Sequence, residues 1–157
     1  MEARKGVRKT KILTNNKKGK VKILRKIKFR GWHVTDGWVY GYYVLDNDGN
    51  HLIYGTDPDD GNWGAWIVEP NSIGQYIGLK DKNGKEIYEG DIIRIRHPEW
   101  EDWEIYSVKY CDDFDYPAFD TYPRIDCDCN GLSYAIACCE IEVIGNIFEN
   151  PQWWKNE

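Results

Sequence analysis

Trp38-Val39-Tyr40-Gly41-Tyr42-Tyr43-Val44-Leu45 is a run of aromatic and β-branched residues, Asp46-Asn47-Asp48-Gly49 interrupts it, and His51-Leu52-Ile53-Tyr54 resumes it. Asp-Gly between two runs of this kind is a strong hairpin signal, because glycine enters the positive-φ position of the turn at little cost. Moving outward, Ala65-Trp66-Ile67-Val68 reads as a short strand closed by Pro70, with residues 55–64 as the loop before it. A second turn of the same composition, Asp81-Lys82-Asn83-Gly84, precedes Glu86-Ile87-Tyr88. Glu89-Gly90-Asp91 makes a tight corner into the strand Ile92-Ile93-Arg94-Ile95-Arg96.

Toward the C-terminus, residues 105–110 alternate again. Residues 111–131 carry two Pro and six Asp and read as a loop. Tyr134–Cys139 and Ile141–Phe148 read as the last strands, and Asn150-Pro151 suits the start of a short C-terminal helix. Toward the N-terminus, Val21, Ile23, Ile27 and Phe29 alternate with Lys22, Lys26, Lys28 and Arg30, a period of two that predicts a strand with one apolar and one basic face. Many short strands separated by Gly-rich turns point to a mainly β fold, a small barrel or sandwich of curved antiparallel sheets.

Composition agrees. The 157 residues suffice for one core, and 15% are aromatic, with 8 Trp and 11 Tyr against 4 Phe. Trp and Tyr favour half-buried strand surfaces. No apolar run approaches the ~20 residues needed to span a bilayer, and the basic N-terminus has no apolar leader-like stretch. A cytoplasmic protein is expected, with no membrane partner. Five cysteines, an odd number, argue against a disulfide framework in that compartment.

Charge is unevenly distributed. Residues 1–30 hold thirteen Lys and Arg and one acid, a net of +12, whereas the rest carries −17. Residues 1–20 are too polar to bury much surface and read as a basic flexible arm, and residues 21–157 as a single β-rich domain.

Three segments carry a resemblance. They are Ile27-Lys28-Phe29-Arg30-Gly31-Trp32, then the stretch from Gln75-Tyr76-Ile77-Gly78-Leu79-Lys80 through Asp81-Lys82-Asn83-Gly84 to Glu89-Gly90-Asp91-Ile92, and finally Glu142-Val143-Ile144-Gly145-Asn146-Ile147-Phe148-Glu149-Asn150-Pro151. Together they resemble the YopX family of phage and prophage proteins. The likeness implies a mainly β fold with a small SH3-like barrel element, a bacteriophage or prophage origin, and no established activity. It transfers no catalytic residue. The chain departs from the family pattern in its first 25 or so residues, which precede the family's usual start, and at His33, where the family tends to have an acid.

Each possible chemical motif has a plainer structural reading. Cys127, Cys129, Cys138 and Cys139 offer four thiols, but gaps of one and zero residues fit a shared zinc site poorly. Asp46, Asp48 and Asn50 start like a calcium loop, yet His51 stands where Gly is required and Asp57 where Glu is. Gly78 to Gly84-Lys85 has five intervening residues instead of four and continues into Glu86, which excludes a phosphate loop. His33, His51 and His97 lie far apart near strand ends; a meeting of His97 with Cys111 in space stays open. Asp112, Asp113, Asp115 and Asp120 form either a pair of working carboxylates or a solvated acidic loop, the loop being the simpler.

No cofactor and no catalytic activity are expected. The chain reads as an interaction module that self-associates or binds a host or phage protein. The alternative is a sequence-independent nucleic-acid binder using residues 1–30, with Lys22, Lys26, Lys28 and Arg30 on the strand face and Trp32/Trp38 or Tyr40/Tyr42 available for stacking.

Overall fold

A computed structural model describes residues 25–57, 60–111 and 117–153. Among these residues ten strands form two antiparallel sheets. Strands β1 (Phe29–His33), β2 (Gly37–Leu45), β3 (His51–Thr56), β4 (Trp63–Ile67), β5 (Gly74–Lys80) and β6 (Glu86–Tyr88) make the first, in the order β4-β3-β2-β1-β5-β6. Strands β7 (Asp91–Arg96), β8 (Glu104–Cys111), β9 (Ala118–Tyr122) and β10 (Glu140–Asn146) make the second, in the order β10-β7-β8-β9. One helix, α1 (Gly131–Cys138), packs beside β9 and β10. The curved sheets expected from the sequence are present, but they are not closed into a barrel: β4 and β6 remain as end strands of the first sheet.

The two Asp-x-x-Gly turns form as read. Asp46 Oδ1 accepts the N–H groups of Asp48 and Asn50 at 2.9 and 2.8 Å, and Gly49 takes φ +84°. Asp81 does the same for Asn83 and Lys85, then extends its second oxygen to the N–H of Val143 in β10. The later turn thereby ties the first sheet to the second, whereas the earlier one is purely local.

Four readings of the sequence are corrected. Tyr134–Cys139 is not a strand: Tyr134 to Cys138 belong to α1 and Cys139 caps it. Asn130 caps this helix by accepting the Ser133 N–H at 2.9 Å, and the helix buries Leu132 and Ala135 in the main core. Within the expected loop 111–131 lies strand β9, and Asp120 on it is fully buried, accepting the N–H groups of Thr121 and Leu132. Asp120 is therefore an anchor between β9 and α1, not part of a solvated acidic loop; Asp112, Asp113 and Asp115 lie outside the described residues. Finally, the basic-faced strand begins only at Phe29, so Lys26 and Lys28 precede it. Lys22 and the arm at residues 1–20 lie outside the described residues. The expected C-terminal helix is a single 3-10 turn, Pro151–Trp153.

Burial falls into two clusters. The larger joins Ile87 of β6 to Ile93, Ile95, Val108, Leu132 and Val143 of the second sheet and α1. The smaller, Val39, Ile53, Trp66 and Val68, lies inside the curl of β1 to β4.

Candidate functional site

Alternation along β2 sets up everything that follows. Val39 and Tyr43 point into the small core, while Trp38, Tyr40, Tyr42 and Val44 lie on the opposite face. Register places Arg30 beside Tyr40 and Trp32 beside Trp38 on that same opposite face. Near β1 this face is covered by the second half of the molecule. Trp32, Trp38 and Phe148 pack ring against ring at 5.6–6.1 Å, and the Trp38 indole N–H donates to Glu149.

At the centre of the seam is Arg30, only 7% exposed. Its Nη1 donates to Asp91 Oδ1 at 2.5 Å and its Nη2 to the Glu89 carbonyl at 3.2 Å, while the guanidinium lies over Trp38 and Tyr88. Its Nε is buried with no hydrogen-bond partner. Asp91 also accepts the Tyr88 N–H. Burial pushes the Asp91 carboxyl above the ordinary range, with the Arg30 guanidinium pulling against it. Gly90 closes the seam in backbone: its N–H donates to the Val108 carbonyl and its carbonyl accepts the Ile147 N–H. A cavity of about 240 Å³ lies here, lined by Arg30, Trp38, Ser72, Gly90, Ile147 and Phe148 among others. The three segments quoted above as family-like thus meet in one place: Arg30 from the first, Glu89-Gly90-Asp91 from the second, and Asn146 to Glu149 from the third.

Two of the nucleic-acid candidates, Lys28 and Arg30, are drawn inward instead of facing solvent. Arg30 is committed to Asp91. Lys28 pairs with Glu86 inside a ring of Tyr40, Tyr76 and Tyr88, whose centroids lie 5.5–5.8 Å from its Nζ. Burial works against the Glu86 carboxylate, yet the bonds from Lys28 and Tyr88 hold its pKa below the ordinary value. Lys26 is exposed and reaches Glu86 at 3.7 Å. A different basic cluster emerges on the second sheet: Lys82, Arg94 and Arg96 all lie within 4.8 Å of the Trp103 ring centre. Glu140 and Glu142 neutralise them. Alternation marks Arg94 and Arg96 as neighbours on one face, but the convergence on Trp103 depends on strand pairing that the sequence does not display.

Cys127 and Cys129 bring their sulfurs to 3.5 Å, and that contact pushes the Cys129 thiol up. Cys138 ends α1 and Cys139 caps it. Among the described residues no three His, Cys, Asp or Glu side chains converge as a metal site. His33 sits by Asp36, His51 bonds the Tyr43 hydroxyl, and His97 packs on Trp100 and Tyr134, while Cys111 is buried at the end of β8.

Beyond the seam, no described element covers the same face of β2, β3 and β4. Tyr42, Val44, Tyr54, Trp63 and Ile67 are all exposed there, with the Tyr42 and Trp63 rings stacked 6.3 Å apart at 8°. Register aligns Tyr42 with Tyr54 and Ala65, and Val44 with Leu52 and Ile67. The 9, 6 and 5 residues of these strands include no Asp, Glu, Lys or Arg, in a chain that is 30% charged.

Among the described residues, no helix is long and apolar enough to cross a membrane. No curated protein matches the chain. Among solved structures, the crystal structure of protein EF1440 from Enterococcus faecalis is similar in fold, with a TM-score of 0.50 and 24% identity over 84% of this chain and 100% of that one. The family model described as YopX protein matches residues 28–154, which includes the Arg30 seam and every strand above. The chain belongs to the YopX protein family.

Proposed function

We propose that this chain is a non-catalytic protein-interaction module, an accessory protein of a phage or prophage that works in the cytoplasm of the bacterial host. One observation carries the reading: the uncharged, aromatic face of β2, β3 and β4, open to solvent beyond the seam. Antiparallel sheets that face water ordinarily alternate apolar with polar residues. A contiguous apolar patch on a monomer is a mark of a docking surface. The flat Tyr42–Trp63 stack suits protein contact, since aromatic rings bring large area at small cost in side-chain entropy. The phage setting rests on the resemblance of the three sequence segments.

The test compares baits in extracts of lysogenic cells. Wild type, Tyr42→Lys and a control, Ile136→Lys on exposed α1, are used side by side. Proteins enriched by wild type and the control should be lost with Tyr42→Lys. Equal enrichment by all three baits would overturn the assignment of the face.

A further inference from the structure

Resting on the reading of this face as a docking surface, we infer that its occupant is a second copy of the chain, in a two-fold dimer that packs the two β2–β4 faces together. The first argument is continuity. One face of one sheet is already half covered: over β1 and the start of β2 it packs aromatic residues against Phe148 and Tyr88 from the second half of the chain. The remainder is likewise aromatic, so the ring packing that seals the seam has a counterpart that no described element covers.

Area supports the same occupant. Tyr42 is 59%, Trp63 69% and Ile67 58% exposed, with Val44 and Tyr54 each 42% exposed. At 150–250 Å² per large side chain, these five offer roughly 600 Å². That reaches the upper end of the largest patch on a typical monomer. With Tyr40, Leu52 and Ala65 at the margin, it approaches the ~800 Å² per partner of a standard interface.

Charge selects the kind of partner. Residues 31–157 carry −17, so two copies repel wherever their acidic surfaces meet. The neutral strands let two identical faces approach while keeping those charges at the rim. The same lack of Lys and Arg leaves nothing on this face for a nucleic-acid backbone. Strand β4 adds a last sign: it is an end strand bearing neither the lysine nor the proline that commonly protects one.

The test is the mass of the full chain in solution, by sedimentation or light scattering, from about 5 to about 200 μM, a range that brackets weak to moderate dimers. Wild type and Ile136→Lys should reach twice the chain mass, and Tyr42→Lys and Ile67→Lys should stay at one. Circular dichroism checks that the lysine variants fold. Should they not, the 5-fluorotryptophan spectrum of the unsubstituted sequence replaces them: the Trp63 resonance should shift on dilution and that of Trp103 should not. A wild type monomeric at every concentration would overturn the second copy as occupant, while the bait comparison still decides whether the face binds another protein. A dimer that survives both lysines, or an unmoved Trp63 resonance, would place the contact elsewhere and overturn the inference.

Discussion

Arg30 donates to the carboxylate of Asp91 at 2.5 Å, 61 residues along the chain and across the seam between the two sheets. Both groups are almost wholly buried, so each depends on the other. Arg30→Met leaves an uncompensated buried carboxylate and should cost about 3–5 kcal/mol. Joint replacement by Arg30→Met and Asp91→Leu removes both charges, along with the unpartnered Nε, and should cost clearly less than the sum of the single changes. Urea titration of the four chains measures the coupling. Additive single costs would show that the pair does not act as a unit.

The same pair sets a pH dependence. Burial raises the folded pKa of Asp91 above its unfolded value of about 3.9. The folded state then binds the proton more tightly, so the contribution of this group is full below the unfolded pKa and is lost as pH rises through the folded one. The stability of wild type minus that of Asp91→Asn should therefore grow on acidification from pH 7 toward pH 4. A difference that shrinks would mean that the attraction of Arg30 outweighs burial.

Gly84 and Gly90 adopt φ of +82° and +79°. A Cβ at Gly84 would meet no atom within 4 Å, so its cost is conformational alone. Gly84→Val should lose about 1–3 kcal/mol. At Gly90 the added Cβ already touches Ile147 at 3.4 Å, leaving no open space for the further methyls of valine, so Gly90→Val should lose more. Thermal unfolding of both variants checks the order.

How much of this was legible depends on how local each cause is. The Asp46 and Asp81 turns could be read because an Asp side chain, its neighbours' N–H groups and a glycine lie within four residues. Helix α1 could not, because what favours it is the burial of Leu132 and Ala135 on a sheet formed by distant strands. Tyr134 to Cys139 looks as much like a strand when taken alone. The alternation around Arg30 had the correct parity, yet alternation separates faces without saying which one meets solvent. The polar face was the one drawn into the seam, and only the pairing of β1 with β2 and the approach of Asp91 reveal it. The uncharged β2, β3 and β4 were visible residue by residue, but their exposure was not.

Nucleic-acid affinity, if carried by this chain, should reside in residues 1–24 together with Lys26, since Lys28 and Arg30 are held by Glu86 and Asp91. Neutralising about six phosphates would give a slope of log affinity on log salt near −5. Deleting residues 1–20 should remove most of that slope, and Lys28→Ala should leave it unchanged. A titration on single- and double-stranded probes separates these outcomes. A slope lost with Lys28→Ala would return the site to the start of β1.

The two buried clusters share no residue, and they differ in size: ten residues in one, four in the other. What joins them across the seam is the Arg30–Asp91 bond, the packing of Trp32 and Trp38 on Phe148, the Trp38–Glu149 bond and the short pairing of β1 with β5. A seam of that kind lets the smaller half open while the larger stays folded, so the molecule has two levels of protection instead of one. Ile53 and Ile93 are both fully buried, yet the amide proton of Ile53 should exchange with deuterium well before that of Ile93. The exposed face of β2 to β4 belongs to the half that opens first, and any partner that covers it will slow the exchange of that half.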